Sequence, residues 1–104
     1  MANFITRLFG TRKKHDYKEL LRNGAVIIDV RTKGEYKTGH IKNSVNIPLD
    51  VLSNNLSKLK KDAVVICCCA SGMRSGSAKI ILKSNGFSQV YNAGSWMRLQ
   101  NKLN

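Results

Sequence analysis

Short runs of β-branched and other apolar residues recur along this chain, and each is followed by a segment with helical signals. That alternation leaves few folds open. The runs are Ala25–Val30, Ser44–Ile47 (stopped by Pro48), Ala63–Cys68 and Gln89–Asn92. Each is too short for a helix and rich in strand-forming side chains. Between them lie helix signatures. Asp16 predicts an N-cap for a helix carrying Tyr17, Leu20 and Leu21, closed by Asn23-Gly24. Thr32 and Glu35 form a capping-box pair, with Gly39 as the stop. Asp50 is placed to cap a helix with Leu52, Leu56 and Leu59 on one face. Ser75–Asn85 reads as a helix with Ala78, Ile81 and Leu82 inward, and Trp96–Leu103 as a last one. The expected class is therefore α/β: a small, mostly parallel β-sheet of four to five strands with helices on both faces. In such folds ligands sit beyond the carboxyl ends of the strands, which directs attention to the loop after Cys68.

The length of 104 residues fits one domain. A composition break near Gly10–Lys14 divides a basic N-terminal arm, residues 1–14, from a domain over 15–104. Phe4, Ile5, Leu8 and Phe9 share one helical face in that arm, but Thr6 and Arg7 interrupt any secretory apolar stretch. With no apolar run near the ~20 residues of a membrane span, a cytoplasmic chain is expected. Eighteen Lys and Arg against six Asp and Glu give a net charge of +12, a field that favours anionic substrates. The basic residues are scattered and few aromatics accompany them, so no strong nucleic-acid signal is present. Cys67, Cys68 and Cys69 are adjacent and cannot staple distant loops, which excludes a disulfide scaffold.

The segment Cys69-Ala70-Ser71-Gly72-Met73-Arg74-Ser75 links a buried strand to a helix. A helix N-terminus and the Arg74 guanidinium both favour thiolate over thiol. Small residues let backbone N–H groups turn inward as an anion nest, and Gly72 permits backbone angles that a side chain would obstruct. On these residues alone, the alternative is a buried strand-end cysteine followed by an ordinary turn.

The chain resembles the single-domain rhodaneses. Ile28-Asp-Val-Arg-Thr32, Glu35-Tyr36, Gly39-His-Ile41 and Val45-Asn-Ile-Pro-Leu49 resemble the family's first signature. Val64–Ser75 resembles its active-site strand and loop, and Gly86-Phe87, Val90-Tyr-Asn92 and Gly94-Ser-Trp96 resemble its closing segment. The likeness covers about residues 16–100. It implies a rhodanese-like fold and sulfurtransferase activity through a persulfide on Cys69. Ala70, Ser71, Gly72, Met73 and Arg74 would complete the active loop, and with Ser75 they are the expected substrate-binding residues. Thiosulfate or a similar sulfane-sulfur donor would load Cys69. Cyanide, a thiol or a sulfur-acceptor protein would unload it by ping-pong covalent catalysis. No metal and no organic cofactor is implied. The chain departs from the pattern at Gly94-Ser95, where many members have two glycines.

The triple cysteine keeps other readings open. Counted from Cys68, the loop is Cys-x5-Arg, the spacing of rhodanese-fold phosphatases and arsenate reductases, although Cys67 stands where those usually carry a histidine. A non-catalytic binding module is the reading from a different class. Cys67 and Cys68 are expected as small strand residues on opposite faces. Only His15 and His40 could complete a zinc set, which argues against a metal site. Asp29, Arg31 and His40 are expected to fix local geometry. Trp96 is expected in the core beside the site, and Met73 at its entrance.

Overall fold

In the computed structural model, which describes residues 15–104, each expected strand is found and all strands run parallel. The arm expected over residues 1–14 lies outside the described residues. Helix α1 spans Tyr17–Arg22 and opens on Asp16, whose carboxylate accepts the Glu19 N–H. Strand β1 covers Val26–Asp29. Helix α2 covers Lys33–Thr38, with the Thr32–Glu35 capping box formed in both directions and Gly39 at the C-cap. Strand β2 is only Val45–Asn46. Helix α3 covers Leu49–Leu52 and runs into a 3-10 segment over Ser53–Lys58. Strand β3 is Val64–Cys69, α4 is Met73–Ser84, β4 is Gln89–Ser95 and α5 is Trp96–Leu103.

The four strands form one sheet in the order β2-β1-β3-β4. Cys67 on β3 pairs with Asn92, but Cys68 pairs with Gly94, so Ala93 is an extra residue that bulges β4. Strand period divides the core into two halves. One face gathers Ile28, Val65, Cys67, Cys69 and Val90 under Leu52, Ala78, Leu82 and Phe87. The other gathers Ile27, Ile66 and Cys68 under Tyr17, Ile41 and Leu99. Cys67 and Cys68 thus face opposite sides, as the alternation requires.

Several boundaries differ from the sequence reading, and β4 runs on to Ser95 where Asn92 was expected to end it. Asp50 is not a cap: Pro48 occupies that position without a side-chain hydrogen bond, and Asp50 lies in the first turn. Proline lacks an N–H and holds φ near the helical value, so the helix starts directly behind it. The expected regular helix through Leu59 also breaks. Asn55 leaves helical angles, and its amide donates to the Val51 carbonyl at 2.7 Å, a side-chain bond that competes with the backbone ladder. Finally, β3 extends through Cys69 and α4 begins at Met73 rather than Ser75, leaving only Ala70–Gly72 between them. Among the described residues, no helix is long and apolar enough to cross a membrane.

Phe87 is 1% exposed and seals the layer between α4 and the sheet. Truncation there removes a large apolar side chain and leaves a cavity. Phe87→Ala is expected to lower unfolding stability by about 3–5 kcal/mol in urea titrations followed by circular dichroism.

Candidate active site

Cys69 is the last residue of the central strand β3, at the carboxyl end of the sheet, and α4 starts four residues later. The chain turns between them through Gly72 at φ +111°, a conformation that side chains disfavour. A Cβ at Gly72 would also lie 3.3 Å from the Gly94 Cα. The tight turn brings donors onto the sulfur. The Gly72 N–H donates to Cys69 Sγ at 2.9 Å and the Ser75 N–H at 3.4 Å. Ser75 Oγ stands 3.4 Å from the same sulfur. Burial pushes the Cys69 thiol up and is the largest single influence. The Ser75 hydroxyl and the Ser75, Gly72 and Ser71 N–H groups together outweigh it, so the thiol ends below its ordinary value.

The six expected substrate-binding residues occupy distinct places. Ser75 is fully buried against the sulfur, whereas Ala70 and Ser71 are exposed on the loop crest. Met73, the first residue of α4, is 82% exposed. Arg74 is not free. Its Nη1 and Nη2 reach Glu35 Oε1 and Oε2 at 2.7 and 3.0 Å, a bidentate pair across the site. Glu35 meanwhile accepts the Thr32 N–H at 3.0 Å, so one carboxylate both caps α2 and holds the arginine. Capping explains Thr32 and Glu35 in the sequence; the tie from Glu35 to Arg74, 39 residues away, has no local signal.

The other two cysteines are unlike Cys69. Burial pushes the Cys67 thiol up to about 12 and also raises Cys68, where the Asp29 carboxylate adds to the effect. No loop N–H bond to either is found among the described residues. Asp29 and Arg31 form a buried pair below the loops: Arg31 Nη2 donates to Asp29 Oδ2 at 2.7 Å and to the Gly39 carbonyl at 2.7 Å. Trp96 lies under that guanidinium, 4.6 Å from ring centroid to Cζ. His40 stacks on Tyr36 at 3.8 Å, and its Nδ1 lies 2.7 Å from the Tyr36 carbonyl. These contacts tie Arg31 to Gly39 and His40 to Tyr36 of α2. Among the described residues, no three His, Cys, Asp or Glu side chains gather as a metal-holding group.

A cleft of about 280 Å³ opens beside the loop, lined by Val30, Thr32, Pro48, Leu49, Asp50 and Arg74. A second cleft of about 480 Å³ lies around Gly24, Lys60 and Val64, where strands begin rather than end. Arg74, in the first turn of α4, lines the first; Cys69 does not line it.

Residues 13–102 match the family model of the rhodanese-like domain, and the chain belongs to that family. It is 34% identical over 86 residues to the uncharacterized protein YqhL of Bacillus subtilis, covering 83% of this chain and 68% of that one. It is also 34% identical over 86 residues to the tRNA uridine(34) hydroxylase of Salmonella newport, covering 76% of this chain but only 25% of the hydroxylase. Among solved structures, a rhodanese with anions from E. coli aligns with a TM-score of 0.67 and 33% identity, over 71% of this chain and 89% of that one. The human single-domain sulfurtransferase TSTD1 aligns with a TM-score of 0.71 at 24% identity, over 82% of this chain and 90% of that one, a likeness of fold.

Two outcomes follow from the site's electrostatics. Brief iodoacetamide treatment near neutral pH is expected to modify Cys69 and leave Cys67 and Cys68 unmodified, as read by peptide mass spectrometry. Arg74, followed by the Thr32 N–H, holds the Glu35 carboxyl at about 2, below its ordinary 4.5. A depressed carboxylate stabilises the fold above the unfolded value, and that contribution is lost as pH falls through the folded one. Glu35→Gln is therefore expected to flatten the acid limb of the stability profile between about pH 4.5 and 2, measured by thermal unfolding.

Proposed function

We propose that this chain is a sulfurtransferase that carries sulfane sulfur as a persulfide on Cys69. The observation that carries this reading is a lowered thiol at the end of the central strand, held by the Gly72 and Ser75 N–H groups. In the first half-reaction the Cys69 thiolate attacks the outer sulfur of thiosulfate or a similar donor. One S–S bond forms, the donor's S–S bond breaks, and sulfite leaves with the electron pair. In the second, cyanide, a small thiol or a protein thiol attacks the outer persulfide sulfur, and the Cys69 thiolate departs. Atoms and electrons balance without a cofactor. The loop N–H groups favour the anionic sulfur in both states.

Arg74 and the net charge of +12 draw the anionic donor to the loop. Because Glu35 already occupies both arms of the Arg74 fork, the arginine steers from a fixed position beside the cleft. Exposed Met73 gives the entrance an apolar lip, which suits thiol acceptors. Three free thiols fit a reducing compartment such as the cytoplasm. The Cys-x5-Arg phosphatase or arsenate reductase reading needs Cys68 in the loop. Cys68 instead packs with Ile66 and Leu99 on the far face of the sheet, which favours Cys69.

The test is intact mass after reduction and incubation with thiosulfate. Wild type and Cys68→Ser are expected to gain one sulfur atom that cyanide removes, and Cys69→Ser none. No gain in any of the three, with hydrolysis of an aryl phosphate that depends on Cys68, would establish the phosphatase instead. Neither activity would leave the binding module.

A further inference from the structure

Among the described residues, the Ser75 hydroxyl is the side-chain group hydrogen-bonded to Cys69 Sγ, and it has two acceptors closer than the sulfur, Asn92 Oδ1 and, at 3.2 Å, the Gly72 carbonyl. Ser75 Oγ lies 2.6 Å from Asn92 Oδ1 but 3.4 Å from Cys69 Sγ. Asn92 sits on β4, against the loop. Its Oδ1 also accepts the Gly94 N–H at 2.9 Å, which fixes that atom as the amide oxygen, and its Nδ2 donates to the Gly72 carbonyl at 3.2 Å. The bulge at Ala93 follows directly and lets Gly94 turn its N–H back to this amide. Gly76 gives it room: a Cβ there would stand 3.3 Å from Asn92 Nδ2.

A hydroxyl has one proton to donate. While Cys69 is a thiol, its S–H donates to Ser75 Oγ, and the Ser75 O–H donates to Asn92 Oδ1. Once the thiol proton has left to a solvent base, the sulfur can only accept. Ser75 Oγ, with Asn92 Oδ1 still satisfied by Gly94, is then able to turn its proton toward the sulfur. No covalent bond of Ser75 changes.

We propose that Asn92 is a positioning residue for Cys69, acting through the Ser75 hydroxyl, which it holds turned from the sulfur in the thiol and yields to the sulfur in the thiolate. The inference rests on Cys69 being the sulfur carrier. Loading moves the negative charge to the outer persulfide sulfur, so the hydroxyl returns to Asn92. Unloading brings charge back to Sγ, and the hydroxyl turns its proton to the sulfur again. Ser75 and Asn92 therefore follow the charge through the cycle, and Asn92 sets how readily the thiolate forms.

The test titrates Cys69 through the pH dependence of its alkylation by iodoacetamide, localised by peptide mass spectrometry. Asn92→Leu removes the nearer competing acceptor and leaves only the Gly72 carbonyl, 3.2 Å from Ser75 Oγ and the weaker of the two. The midpoint is expected to fall by about one pH unit, the scale of one hydrogen bond to a charged sulfur. Asn92→Asp strengthens the competing acceptor and is expected to raise it. In a Ser75→Ala background the Asn92→Leu shift should vanish and the Asn92→Asp shift should shrink. An unmoved or raised midpoint in Asn92→Leu, or equal shifts with and without Ser75, overturns the proposal. If Asn92→Leu does not fold by circular dichroism, Asn92→Asp in the two backgrounds decides alone. Alkylation needs no sulfur donor. A shift without persulfide formation would sink only the sulfur-transfer reading, and persulfide formation without a shift only the role of Asn92.

Discussion

A sulfur anion enclosed by protein persists only where donors replace the water it has lost, and the rest of this site is arranged around that requirement. Cys69 has no exposed surface, yet its thiol lies below its ordinary value. Neighbouring Cys67 and Cys68, equally covered and without such donors, are pushed the other way. Position therefore separates three identical side chains: the strand ends at Cys69, and only there can the first turn of α4 deliver its N–H groups. The Gly72 turn sets the distance. Ser75 lies one helical turn on, and Asn92 reaches the loop from β4.

Around this centre, charged groups are tied down in pairs. Asp29 and Arg31 are almost wholly buried, and an unpaired charge there would be costly. Their mutual bonds, the Gly39 carbonyl and the Trp96 face answer that cost and join the ends of β1, α2 and β4. Glu35 links the α2 N-terminus to Arg74. The segment after Cys69 is thus braced by α2 through Glu35 and by β4 through Asn92, which suits a nucleophile that must reload in the same geometry.

The alternation of elements was legible because strand runs and capping signals are local. Asp16 and the Thr32–Glu35 box each mark a boundary through side chains within a few residues. Where local rules compete, the reading missed. Pro48 displaced Asp50 as the start of α3, and the Asn55 amide diverted a helix that leucine spacing favoured. At the site, Cys69 and its loop could be found from the strand-to-helix junction and the family likeness. Glu35 and Asn92 could not. Their partners lie 39 and 17 residues away, and nothing in a lone glutamate or asparagine announces which distant atom it will meet.

The bulge at Ala93 has a consequence for assembly of the sheet. Val64–Cys69 is apolar on both faces, so hydrophobic pattern alone barely distinguishes one pairing register from the next. A slip of one residue would seat Cys68 at the strand end and turn Cys69 outward along the chain. The substitute is chemically the same thiol, so composition offers no penalty against the error. The extra residue between Asn92 and Gly94 makes the partner strand irregular at one place, and an irregular template accepts one alignment. In this chain the alignment of β3 with the bulged β4 therefore decides which of three adjacent thiols stands at the strand end.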